Sequence, residues 1–161
     1  MCIRDRDEAI QEIQPYVDKD TVIMPLLNGI SPSRIIQEKC SKGIILPGFT
    51  VKTDGQRVGN IISYESDGNI VFGHDTPEKK AIAERAAYML DQSGVPFEFV
   101  DNIQYRQWWK LMANVGINQT QALLNGPYKI FHQEHAANIA RLAMKETVVI
   151  ANQLDLSLIH I

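Results

Sequence analysis

The pattern of the chain changes near Asp101–Asn102, and that change limits its fold more than any other feature. Upstream, short apolar runs are punctuated by Gly, Pro and Asn; downstream, apolar residues recur only at helical spacing. The sequence therefore predicts an α/β portion over about residues 7–101 and an all-helical portion over 102–155. In the first portion, Ala9, Ile10, Ile13 and Val17 space a short amphipathic helix that Pro15 ends or kinks. Val22-Ile23-Met24-Pro25-Leu26-Leu27, polar on neither face, reads as a strand buried in a parallel sheet, closed by the turn signal Asn28-Gly29. Ser31-Pro32 reads as the N-cap and first residue of a helix reaching about Glu38. Gly43–Val51 is a second apolar strand, interrupted by Pro47 and Gly48. Val58–Tyr64 and Asn69–Phe72, on either side of Glu65-Ser66-Asp67-Gly68, read as a β-hairpin. A helix begins at Thr76-Pro77, carries Ala81, Ile82, Ala86 and Leu90 at helical spacing, and ends with Gly94 as its C′ residue. Phe97–Val100 is a short strand. The second portion reads as helices over about 103–124 and 134–153, with Gly126-Pro127 between them.

Composition narrows the function classes. With 45% hydrophobic residues in 161, the chain has enough apolar side chains for a core and does not have the composition of a disordered segment. Its 19 acidic and 16 basic side chains leave a net charge of -3 with no dense Lys/Arg stripe, which argues against an electrostatic nucleic-acid binder. The longest apolar runs are too short to span a bilayer, and no basic start followed by an apolar h-region marks a secretory signal. No membrane partner is expected. Two cysteines, Cys2 and Cys40, make no disulfide framework, so the expected compartment is reducing and cytoplasmic.

The ends read differently from the rest. Met1–Arg6 can be back-translated to a DNA string whose reverse complement encodes Leu-Ser-Leu-Ile-His followed by Ile or Met, and residues 156–161 are that peptide. The shared word resembles the transposase adaptor used to fragment DNA for sequencing. Residues 1–6 and 156–161 are therefore expected to be adaptor-derived, with 7–155 an internal slice of a longer protein. On that expectation, the strand at Val22–Leu27 has lost its neighbours and sits at an exposed edge, an aggregation hazard.

Several constellations could carry chemistry. Lys110, Asn114 and Asn118 stand at i, i+4 and i+8 in the helix Trp108-Trp109-Lys110-Leu111-Met112-Ala113-Asn114-Val115-Gly116-Ile117-Asn118, so they line one face. One amine and two amides can hold a small substrate rich in hydroxyl and carboxylate oxygens. A lysine there can polarise a carbonyl and deliver a proton, and partial burial beside two tryptophans would favour its neutral form. Spacing alone does not separate this row from the solvated face of any amphipathic helix. Asn28-Gly29 falls at the carboxyl end of an apolar strand, the edge where open α/β sheets bind ligands, although an Asn-Gly pair is usually just a turn. Gly48 and Gly73 end β-like runs and could permit close backbone approach. His74, His132 and His135 lack metal-ligand spacing, and Cys40 lies in a lysine-flanked helix tail that does not mark it as a nucleophile. Glu146 stands among apolar and small residues of the last helix, as an acidic partner in a cleft or as an ordinary surface glutamate. There is no G-x-G-x-x-G and no Walker-type loop.

The order Pro25-Leu26-Leu27-Asn28-Gly29, a Gly-punctuated β region, then Trp109-Lys110-Leu111-x-x-Asn114-x-x-x-Asn118 resembles the ketopantoate reductases (2-dehydropantoate 2-reductases), over nearly all of 7–155. The resemblance implies the C-terminal part of a Rossmann-type NADP-binding domain over 7–101, followed by the start of an all-helical substrate domain over 102–155. It implies NADPH as cofactor and hydride delivery to the 2-keto carbon of ketopantoate, giving D-pantoate for pantothenate and coenzyme A synthesis. A related dehydrogenase for another keto or hydroxy acid, or a non-catalytic helical interaction segment, are the competing readings. By the resemblance Lys110 matches the general acid toward the ketone oxygen, Asn114 and Asn118 match amides of the substrate pocket, and Asn28 matches a residue close to the nicotinamide. Glu146 is a weaker match to an acidic residue near the cleft. The family's glycine fingerprint and its later substrate-contacting helices have no counterpart in 7–155, so this chain by itself is expected to bind NADPH weakly and to be inactive. A homodimer is compatible with the resemblance.

Overall fold

The computed structural model describes residues 6–154, and the expectation about the two terminal strings lies outside the described residues. Two compact units are present, the first ending at Ile103 and the second beginning at Gln104.

In the first unit, α1 (Arg6–Ile13) passes into a 3₁₀ turn at Gln14–Tyr16, where Pro15 removes a backbone donor and tightens the last turn. A two-residue strand β1 (Val22–Ile23) pairs in parallel with β2 (Ile44–Ile45), in the register Val22↔Ile44 and Ile23↔Ile45. Between them lies α2 (Pro32–Lys39), with proline at its first position. β3 (Gly48–Thr53) runs antiparallel to β6 (Asp67–Gly73), which pairs in parallel with β7 (Phe97–Val100). β4 (Gln56–Val58) and β5 (Ile61–Ser63) form a separate antiparallel ribbon. α3 (Lys80–Gln92) follows a 3₁₀ turn at Pro77–Lys79 and connects β6 to β7.

Two expectations from the sequence need correction here. The run Val22–Leu27 is not one buried strand. Pro25 cannot donate to a ladder, so pairing breaks after Ile23 and resumes as a single bridge, Leu26↔Gly48. Val22, Leu26 and Leu27 are 40%, 36% and 44% exposed, which is inconsistent with burial on both faces. The hairpin also lies elsewhere. Gly59-Asn60 turns the chain inside the apolar run, with Gly59 at φ +60, so Val58 pairs with Ile61. Asn69–Phe72 pairs instead with β3. Ser31 precedes α2 as expected, but its side chain makes no capping hydrogen bond.

Alternation along the strands sorts side chains into three cores. Ile45 joins Ile10, Val17, Ile36 and Cys40, with Ile23 against them, beneath α1 and α2. The adjacent Leu46 points the opposite way and joins Phe72 and Ala83 beneath α3. Val71 faces away from Phe72 and packs with Phe49 and Ile103. Period-two alternation puts neighbours on opposite faces, so a single strand serves two layers. Phe72 is fully buried, with ring centroids 5.9 Å from Phe97 and 5.5 Å from Phe99. α3 ends in a Schellman motif: Val95 N–H reaches Leu90 O, Gly94 N–H reaches Asp91 O, and Gly94 takes φ +67.

The second unit contains α4 (Ile103–Ala113, whose first residue closes the first unit), a π-helical turn at Asn114–Asn118, α5 (Gln119–Leu124), a 3₁₀ turn at Tyr128–His132, and α6 (Glu134–Gln153). Asn125 ends α5 in the left-handed region at φ 47. The buried stripe of α6 is Ala136, Ala140, Thr147 and Ala151, small side chains that let another helix approach closely. Among the described residues, no helix is long and apolar enough to cross a membrane.

Candidate active site

Lys110 lies in the last turn of α4. Trp108, two residues earlier, is buried, whereas Trp109 is 47% exposed. Lys110 itself is half-buried, and removal from water holds its ammonium below the ordinary lysine value. Taking a cation out of water disfavours the charged form, which is the direction a proton donor working near neutrality requires.

The helix does not continue as a regular α-helix past Lys110. Across Asn114–Asn118 it widens, and the N–H of Gln119 donates to the carbonyl of Asn114, an i→i+5 bond. The sequence spacing assumed one uninterrupted α-helix, which is corrected here. The turn brings two of the candidate side chains together: Asn118 Nδ2 donates to Asn114 Oδ1 at 3.2 Å. Asn114 is half-buried and Asn118 exposed. Gly116, between them in sequence, is buried on the opposite side against α6. Glu146 is exposed on α6, one position from the buried Thr147, whose Oγ1 donates to Ala143 O.

Asn28 belongs to the first unit. It is exposed at the end of the Val22–Leu27 run, and Gly29 follows at φ +99, a conformation that requires glycine. Gly48 and Gly73 do mark close approach: a Cβ on Gly48 would lie 3.1 Å from Phe72 Cβ, and one on Gly73 would collide with Val100 O. Cys40 is 1% exposed and serves as core. Among the described residues, no group of three His, Cys, Asp or Glu side chains could hold a metal. A groove of about 490 Å³ beside β1, lined by Val22, Ile44, Ile82, Ala86 and Met89 with Asp20 and Arg85, contains none of the candidate residues.

Two features escaped the sequence reading. The π turn left one trace, a glycine in the middle of a helix. His74 has a buried Nε2 with no hydrogen-bond partner among the described residues, and nothing in its spacing signalled that.

For a dinucleotide, the residues present supply only part of a site. Asn28-Gly29 forms an open strand-end edge that a nicotinamide could approach, but the chain has no glycine-rich phosphate loop.

Comparison with known proteins bears on the family and the fold. Residues 4–76 match the family described as ketopantoate reductase PanE/ApbA, and residues 102–160 match its C-terminal counterpart. A 2-dehydropantoate 2-reductase of Lactococcus lactis is 28% identical over 119 residues, which is 74% of this chain and 38% of that protein. A D-mandelate dehydrogenase solved with NADH superposes with a TM-score of 0.84 at 24% identity, over 95% of this chain and 52% of that one. A PanE/ApbA family ketopantoate reductase from Ralstonia eutropha superposes with a TM-score of 0.78 at 20% identity, over 95% and 50%. The chain thus spans about half the length of these solved relatives, and at such identities the likeness establishes the fold and nothing finer.

Proposed function

The chain belongs to the ketopantoate reductase PanE/ApbA family, and on that premise we propose that it carries the proton donor and substrate amides of an NADPH-dependent 2-keto acid reductase acting on ketopantoate. The observation that carries this reading is the half-buried Lys110, its ammonium held below the ordinary value, on the helix that leads into the paired amides of Asn114 and Asn118. In this reading the bound cofactor supplies a hydride to the keto carbon. Lys110 Nζ hydrogen-bonds the ketone oxygen, offsets the negative charge that grows there and gives up a proton, so the carbonyl becomes a hydroxyl and the lysine is left neutral. Asn114 and Asn118 orient the oxygen-rich end of the substrate. Asn28, at the strand end, orients the nicotinamide side, and Glu146 is the weaker candidate for a contact near the cleft. A homodimer is the proposed assembly.

A second reading keeps the architecture and changes the acid. A solved neighbour in fold is named as a D-mandelate dehydrogenase, so an aryl keto acid is the alternative to test. The two are separated by following NADPH oxidation with ketopantoate and with phenylglyoxylate, using a chain extended to its relatives' length with the flanking genomic sequence. Preference for ketopantoate upholds the first reading, and preference for the aryl acid the second. In either case Lys110→Ala lowers kcat by about 10²–10⁴-fold. Turnover unchanged by that substitution would leave a non-catalytic helical segment as the reading.

A further inference from the structure

Residues two apart on a helix point to nearly opposite sides, so Gly116 faces α6 while Asn114 and Asn118 face away from it. A regular α-helix advances 3.6 residues per turn, and side chains at i, i+4 and i+8 drift round the axis by about 40° at each step. Three side chains kept on one substrate would fan apart. Closing the ring between Asn114 O and Gln119 N–H puts more residues into that turn and turns Asn118 back toward Asn114, whose Oδ1 its amide reaches.

The widened turn holds a glycine, and its missing side chain lets the turn sit close against α6. A Cβ at Gly116 would run into Met144 Cγ, would stand 2.6 Å from Met144 Cε, and would lie 3.0 Å from the backbone oxygen of Ala140. Glycine in a helix interior is less favourable than alanine, and here the close seat on α6 offsets that cost.

We propose that the π turn at Asn114–Asn118, kept open by Gly116 seated against Met144 and Ala140, holds the two amides side by side at the end of the helix bearing Lys110. Gly116 is then a positioning residue for the keto acid. The consequence for substrate rests on the proposed function, whereas the structural part does not.

Two measurements separate them. The side-chain amide of Asn118 is followed by ¹⁵N correlation spectroscopy in the 161-residue chain, in Gly116→Ala and in Gly116→Ala with Met144→Ala. The hydrogen-bonded amide signal disappears in the single variant and returns in the double variant, where the space taken by the new methyl has been vacated. In the extended enzyme, Gly116→Ala raises the keto acid KM about tenfold, the worth of one hydrogen bond, with kcat nearly unchanged, and the double variant recovers it. An Asn118 signal unaffected by Gly116→Ala, or one that the second substitution fails to restore, overturns the proposal. If the parent enzyme reduces no keto acid, the proposed function fails and the spectroscopic arm still decides the role of Gly116.

Discussion

Asn118 donates its side-chain amide to the side-chain oxygen Oδ1 of Asn114 at 3.2 Å, across a turn in which the backbone bond also runs from the N–H of 119 to the backbone carbonyl of 114. In the proposed function, the Nδ2 of Asn114 and the Oδ1 of Asn118, which this bond does not use, are the donor and acceptor offered to the acid. A hydroxy or keto acid offers the complementary groups.

Because each amide orients the other, their deletions should not add. Asn114→Ala or Asn118→Ala should each raise the keto acid KM by roughly 2–10-fold, and the double variant should be little worse than the poorer single one. Steady-state kinetics on the four proteins of the cycle test this; additive losses would mean that the two side chains act independently.

Burial lowers the Lys110 pKa from 10.5, so the folded state releases that proton more readily than the unfolded state. Between the lowered value and 10.5 the unfolded chain binds more protons, and stability rises with pH; below that window both states are protonated and the penalty is present in full. Urea midpoints taken across the window should climb in the parent and stay flat in Lys110→Met. Turnover should run the other way, since a proton donor is lost as pH rises through the same lowered value.

Gly73 pairs with Val100 between β6 and β7. A methyl group there would strike the Val100 carbonyl and come within 3.0 Å of Ile103 Cβ, both fixed by the sheet and its core. Gly73→Ala should cost about 1–3 kcal/mol through overpacking, seen as a lower thermal midpoint. A midpoint within error of the parent would show that the β6–β7 pair yields easily.

β1 uses Thr21 O and Ile23 O to receive Ile44 N–H and Leu46 N–H, and no strand among the described residues pairs with its other side. With Val22 and Leu27 40% and 44% exposed beside that edge, self-association is expected. Val22→Lys should reduce light scattering at a given concentration while shifting the thermal midpoint little. Equal scattering in both proteins would place the sticky surface elsewhere, for example at Val58, Ile61 and Ile62 of the β4–β5 ribbon.

The legible parts of the fold were those with a local cause. The Thr76-Pro77 start and Gly94 end of the β6–β7 connecting helix, the strand at Phe97–Val100 and the helix over 134–153 follow from a proline in the first turn, a glycine at C′ and apolar periodicity within a few residues. The errors came where partners are distant. Asn69–Phe72 alternates like half of a hairpin, but alternation records only which face is apolar, and β3 and β7 compete for that strand more effectively than the nearby β5. Val22–Leu27 has the composition of a buried strand, yet Pro25 interrupts its ladder and no strand among the described residues pairs with its outer edge.

The sequence by itself determined the division between an α/β and a helical part, and it singled out Lys110, Asn114 and Asn118, because side-chain chemistry and helical spacing are properties of the string. Only the tertiary structure decided that the helix widens between Asn114 and Asn118. That outcome depends on how closely Gly116 can sit against Met144 and Ala140, residues more than twenty positions away, and such a distance is set by packing rather than by any local preference.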